Sequence, residues 1–557
     1  MSGLHTAGLD GSPASSNNMC MDTDTDIQTN MPQLLRLPCE LLLHISSYLS
    51  WPELFPLRLT CCQINAYLLP SFLSECFCDR RFMVTEYSLR CLINISKHPP
   101  LSECLSKLTI GLDRLNSSEA IPRFRDYWDP DTRTARPHPI VKEGINAHNL
   151  EALTVEQNCL TSSGQLQVLL CEALSNLRNL DQIILRDTLA TREPMRPKSS
   201  NLVVSYGTAQ VLRETGIDFT CHELHLHEND QFADLVFSNL LLALGRSGTR
   251  VRAITVDIQK KDVGLSSSAF ALPDFLLGKL QPTLRSLQSL DLSVSFIQVT
   301  LGSYSNGSKG FLRWQRHHLF ALLEQTPNLV CLRVRSKERG FMADGIIGWL
   351  AYFIDPSEHL RIQQKTERRP PSLDQLTETI SSDEISLYPP LPTLSHKFRV
   401  LREIELGNMV APASTLSKIL LSFAGSLRQL YLSSVAISIS STDDELDNDS
   451  VSPDAWSSLF RDMHSFLELV DFSASALEHR TDKCTRETKG HQVAFLKSDV
   501  GVQSGPESGM RTTWSCSGNV SDMKEFLIEV SAKTIIICPT CKEKNAGYWS
   551  VEDSFEA

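Results

Sequence analysis

The sequence predicts an α/β protein: a short helical module near the N-terminus, then an irregular solenoid of strand–helix units with a parallel sheet on its concave face. Three observations predict it. A spacing of apolar residues at positions 1, 4 and 6 recurs along most of the chain, segments with helical spacing fall between the copies, and two compact apolar clusters lie ahead of the first copy. With 41% hydrophobic and 21% charged residues in 557, the chain can bury a substantial core, which excludes a wholly disordered polypeptide.

Residues 1–30, rich in Ser, Asn, Asp and Thr, read as a disordered leader lacking the basic start and apolar stretch of a secretory signal. From Leu37-Pro38, a proline at a helix start precedes apolar residues at 41, 42, 45, 48 and 49, one face of a helix. Ser50-Trp51-Pro52-Glu53 fits a capping box opening a second helix, which Leu54, Leu57 and Leu59 continue. A unit of this size cannot bury that many leucines by itself, so a partner surface is expected.

These residues resemble an F-box: Leu37, Pro38, Glu40, Leu41, Leu42, Ile45, Tyr48, Leu49, Leu54, Leu57, Arg58, Leu59, Thr60 and Cys61 stand at the motif's spacing. The resemblance covers 31–75. It implies a helical motif that docks on a Skp-type adaptor and through it a cullin, with Leu37, Pro38, Ile45, Leu49, Leu54 and Leu57 as the adaptor contacts. The chain departs from the family at Pro56, inside the second helix, and at Cys62-Gln63, where basic or aromatic residues are common. Residues 76–147 read as a mainly helical connector with one strand at 105–111, similar to the stretch after the F-box in many fungal F-box proteins.

The solenoid is expected over 148–478. The fullest copies are Leu150-x-x-Leu153-x-Val155-x-x-Asn158 and Cys221-x-x-Leu224-x-Leu226-x-x-Asn229, both of which fit the strand of a leucine-rich repeat. Weaker copies start at Leu180, Val251, Leu287, Leu329, Leu401, Leu427 and Leu467. Helical spacing fills intervals between them: Leu166, Leu169, Leu170; Phe237, Leu240, Leu241, Leu244; and Leu416, Ile419, Leu420. Each unit is too thin to bury its own apolar face, so stacking is the physical solution. A proline-containing insertion is expected at 336–394, and the acidic run 443–449 reads as a solvated loop. The alternative is an ordinary α/β domain without regular repeats. Residues 479–557 read as a partly disordered extension, with a short apolar strand at Thr534–Ile537.

The formal net charge of −12 has the wrong sign for a protein whose work is neutralising phosphates, so no nucleic-acid partner is expected. Gly345–Ile354 is the longest apolar run, half of the roughly 20 residues a bilayer needs, so no membrane partner is expected either. The 16 cysteines read as reduced thiols in the cytoplasm or nucleus. His222, His225 and His227 alternate faces of a strand and do not converge on a metal. Cys538-Pro539-Thr540-Cys541 has the spacing of half a zinc site without a second half. No nucleophile elbow, phosphate loop or dinucleotide fingerprint is present, so neither enzyme activity nor a cofactor is expected. By analogy with F-box proteins carrying leucine-rich repeats, the expected role is a ubiquitin-ligase substrate receptor that binds the adaptor at one end and an unidentified protein target at the other. A non-degradative interaction scaffold is the alternative.

Overall fold

The computed structural model describes residues 34, 37–49, 51–115, 127–129, 134–136, 146–187, 205–217, 231–260, 263–295, 318–319, 321–337, 398, 400–439, 455–481, 491–496 and 510–537. The leader, the copy at 221–229 with its histidines, most of the 336–394 insertion, the acidic run, Ser50 and the Cys538/Cys541 pair lie outside them. Among the described residues no helix is long and apolar enough to cross a membrane. The chain divides into two units, Met1–Cys76 and Phe77–Ala557.

In the first unit, α1 (Cys39–Ser46), α2 (Trp51–Arg58) and α3 (Cys62–Cys76) form a small bundle in which α1 and α2 pack on α3. Ile64, Leu68 and Phe72 recur every four residues along α3 and are buried with Leu42 and Leu54. Pro56 is accommodated within the short α2. Arg58 ties the helices together: its Nε and Nη2 donate to Asn65 Oδ1 at 3.1 and 2.9 Å, and its guanidinium lies 3.4 Å over the Phe72 ring.

The second unit is mixed α/β, built on a large, mostly parallel sheet. Its elements begin with β1 (Asp79–Met83), α4 (Glu86–Lys97), α5 (Pro99–Cys104), β2 (Lys107–Gly111) and a hairpin of β3 (Tyr127–Asp129) with β4 (Thr134–Arg136). Then come α6 (Ala147–Ser162), α7 (Gln165–Leu174), β5 (Gln182–Arg186), α8 (Thr208–Thr215), α9 (Phe232–Ser247), β6 (Ala253–Asp257), α10 (Asp274–Ser286), β7 (Ser289–Val294) and β8 (Cys331–Ser336). The chain continues through β9 (Glu403–Gly407), β10 (Val410–Pro412), α11 (Ala413–Ser422), β11 (Gln429–Ser433), β12 (Ala436–Ile439), α12 (Ala455–Phe466), β13 (Asp471–Ser475) and β14 (Glu478–Thr481). It ends with β15 (His491–Leu496), β16 (Met510–Arg511), β17 (Thr513–Ser517), α13 (Val520–Lys533) and β18 (Thr534–Ile537).

The main sheet has ten strands in the order β1-β2-β5-β6-β7-β8-β9-β11-β13-β17 and does not close on itself. Successive pairs are parallel until β17, which lies antiparallel to β13. The register aligns the apolar copies. Ile183, Ile254, Leu290, Leu332, Ile404, Leu430 and Phe472 are successive partners across the sheet, and all are buried. Leu185, Val256, Leu292, Val334, Leu406, Leu432 and Ala474 form a second buried row two residues on. One continuous apolar core links these rows to α4, α7, α9, α11 and α12.

A second, narrower sheet, β10-β12-β14-β15-β16 with β18 on β15, runs beside the last part of the first. Its first three strands follow β9, β11 and β13 directly, and each corner is turned by a residue in the left-handed region: Asn408 (φ 53°), Ser434 (φ 55°) and Ala476 (φ 49°). Residues beyond 479 therefore contribute β15, β17 and α13, whose Met523, Leu527 and Val530 are buried where α13 packs on α12.

Three sequence expectations are corrected. Leu150–Asn158, the fullest copy, is not a strand but part of α6. Asn146 caps that helix through its side chain, and Leu150, Leu153, Gln157 and Leu160 line its buried face while Val155 is 55% exposed. The copy starting at Leu467 is displaced by two residues: Phe472, not Val470, pairs with Leu430. A slip of two keeps the same strand face, so Leu467 is buried in either register. The segment 76–147 also supplies four strands, β1 to β4, where one had been expected.

Candidate functional site

Each unit presents one surface of distinct chemistry. On the N-terminal unit, α1 turns Leu42 and Ser46 inward, and this leaves Leu41, Ile45 and Tyr48 as an outward stripe at spacings of four and three residues. Their exposures are 48%, 42% and 75%. The Tyr48 ring stands edge-on to His44 with centroids 5.1 Å apart, and its hydroxyl lies 3.3 Å from His44 Nε2. Phe55 on α2 and Leu59 just past its end are also exposed, at 54% and 72%. These large apolar side chains form an exposed apolar patch on a small bundle.

The six residues singled out from the motif are distributed unevenly. Pro38 is exposed at the N-cap of α1, Ile45 is in the stripe, and Leu37, Leu49 and Leu57 are half-buried. Leu54 is 5% exposed and belongs to the bundle's own core. Leu41, Tyr48, Phe55 and Leu59 complete the apolar surface and were not selected, although the four-residue spacing of Leu41 with Ile45 and of Phe55 with Leu59 was visible in the sequence.

The second surface is the polar face of the main sheet. Between the two core positions of each strand stands one residue that points the other way, and the register sets Thr255, Asp291, Arg333, Glu405, Tyr431, Ser473 and Ser515 in one row. Arg335 pairs with Asp291 and lies 3.7 Å from Glu405. Arg333 donates from Nε to Glu403 at 2.6 Å and lies 3.7 Å from Glu405, and Arg186 meets Asp257 at 3.1 Å. Tyr431 donates to Asp471 Oδ2 at 2.8 Å and Ser517 to Asp471 Oδ1 at 3.0 Å. Gly407 makes room for this lattice: a Cβ there would stand 2.8 Å from Arg335 Cγ.

Burial sets the electrostatics. It raises the Asp291 carboxyl to about 6, against the pull of Arg335 and with a push from Glu405. Burial also raises the Cys331 thiol to about 11, with Glu403 adding to it, and raises the Tyr431 phenol, whose proton Asp471 holds. Burial works to lower Arg333, but Glu403, Cys331 and Glu405 together outweigh it and the guanidinium is held more firmly charged. Arginines and carboxylates thus satisfy one another across strands, giving the polar face of the sheet a network of paired charges. This face was legible only as the unremarked middle residue of each apolar triplet. Among the described residues no group of three or more His, Cys, Asp or Glu is placed to hold a metal.

No protein-family model matches this sequence, and no curated protein matches it.

Proposed function

We propose that this protein is the substrate-recognition subunit of a Skp–cullin–F-box ubiquitin ligase. In this reading the N-terminal helices are an F-box that docks on a Skp-type adaptor, and the second unit is an irregular leucine-rich-repeat solenoid that holds a protein target. The observation that carries it is the open apolar stripe Leu41, Ile45 and Tyr48, accompanied by Phe55 and Leu59, on a bundle whose sequence has F-box spacing. The repeat assignment is supported by parallel strands with aligned core positions and by the left-handed corner after β9, β11 and β13. Such a receptor needs no catalytic residue: it raises the local concentration of target lysines beside a ubiquitin-charged enzyme supplied by the complex.

The test is co-purification of a Skp-type adaptor with the full-length chain, with Leu41→Asp/Ile45→Asp, and with Leu37→Ala/Pro38→Ala. An apolar anchor at an interface hot spot contributes about 2 kcal/mol, so loss of two should weaken capture by several hundred-fold or more. Leu41 and Ile45 are exposed, so the first pair should leave the bundle folded, which circular dichroism checks. Undiminished adaptor recovery by both variants removes the F-box assignment.

A further inference from the structure

We propose that Cys78 and Cys104 form a redox-sensitive dithiol, which a peroxide converts to a disulfide fastening the edge strand β1 to the end of α5. The two residues are 26 positions apart, yet their sulfurs lie 3.0 Å from each other. A disulfide bond is about 2.0 Å long, so closure requires roughly 1 Å of movement, within the reach of two side-chain rotations.

The backbone holds the pair in place. Cys78 immediately precedes β1, and its carbonyl accepts the amides of Ser106 at 3.1 Å and Lys107 at 2.8 Å, while Asp79 pairs with Lys107 at the start of the β1–β2 ladder. Cys104 is the last residue of α5, and Leu105, which follows it, is fully buried. The sheet register and the anchored helix end therefore bring the sulfurs together before any oxidant arrives. Both cysteines are half-exposed, so a small oxidant reaches them.

The chemistry balances with hydrogen peroxide as the two-electron oxidant. The Cys78 sulfur attacks one peroxide oxygen, the O–O bond breaks, and one water leaves with formation of a sulfenic acid. The Cys104 sulfur then attacks the Cys78 sulfur, the S–O bond breaks, and the second water carries away the hydroxyl with the thiol proton. Burial, and the hydrogen bond with Cys78, push the Cys104 thiol up to about 12, which keeps it protonated and makes its attack slow at neutral pH. The consequence lies in β1, the outermost strand of the main sheet, whose one ladder neighbour is β2. A crosslink just ahead of its first residue resists fraying at the start of the strand, the end away from the bridge between Phe82 and Tyr206.

The experiment treats the full-length chain, in a Cys76→Ser background that removes the thiol two residues before Cys78 in the sequence, with hydrogen peroxide at about pH 8.5. Remaining thiols are alkylated and peptides are mapped without reduction. The expected result is one linked peptide joining Cys78 to Cys104, lighter by about 2 Da than the two reduced peptides combined. Dithiothreitol should reverse it, and amide exchange across 79–83 should be slower in the oxidised protein. In Cys104→Ser, Cys78 should stop at the sulfenic acid and be trapped by dimedone. Recovery of both thiols alkylated, or either cysteine joined to another partner, overturns the proposal and leaves an inert thiol–thiol hydrogen bond.

Discussion

Gly407 and His479 show how single side chains set limits on the second unit. At Gly407 an added methyl meets Arg335 at Cγ, Cβ and Cα, at 2.8, 3.3 and 3.4 Å, so the arginine must leave its place beside Asp291 and Glu405. Gly407→Ala should cost about 1–3 kcal/mol, read as a lower denaturant midpoint at unchanged slope. His479 is buried opposite His491, with ring centroids 6.2 Å apart, and burial followed by the neighbouring His491 lowers its imidazole to about 4. A histidine lowered on folding contributes stability that is complete above its unfolded value of about 6.5 and is lost as pH falls from there towards 4. That amounts to roughly 3 kcal/mol at most. Urea midpoints of the native chain should therefore fall across this window, and those of His479→Gln should fall less.

Among elements, strands with a local apolar signature were legible in the sequence and those held by distant partners were not. Leu287, Leu290 and Leu292 announce β7 by themselves. In β1 the central residue is Arg81, 3% exposed, and its burial makes sense only beside Asp113, 2.8 Å away and 32 residues later. No local pattern contains that pair. The copy at Leu150 misled because its spacing of three residues also describes one face of a helix, and the Asn146 cap decides between them. Corners are a further case: Ala476 occupies the left-handed region with nothing in its side chain to favour it. That conformation costs a non-glycine residue roughly 1–2 kcal/mol, and glycine's freer unfolded chain returns about 0.4–1 kcal/mol of the gain. Ala476→Gly should accordingly stabilise the protein by up to about 1 kcal/mol in equilibrium unfolding, whereas Asn408→Gly should gain less because asparagine tolerates this region.

At the scale of the whole molecule, the proposed reading puts docking and capture on different units of the chain, so variants confined to one unit can tell a ligase receptor from a scaffold. The helices that carry Leu41, Ile45 and Tyr48 belong to the unit ending at Cys76, while the charged face from Asp291 to Asp471 belongs to the other. Ile45→Asp/Tyr48→Asp alters two exposed side chains, so it should spare the second unit and its target while removing the adaptor. A receptor then binds its target as before and no longer delivers it, so the target's half-life lengthens in proportion to the flux through this route. Arg333→Glu should do the reverse: it places a third acid beside Glu403 and Glu405, breaks the lattice that reads the target, and leaves adaptor recovery unchanged. The measurement is the turnover of every protein captured by the native chain, compared among cells carrying each variant. If both variants lengthen the lifetime of the same captured protein, that protein is the substrate. If captured proteins keep their lifetimes when adaptor binding is lost, the chain is a scaffold that carries an adaptor without delivering to it.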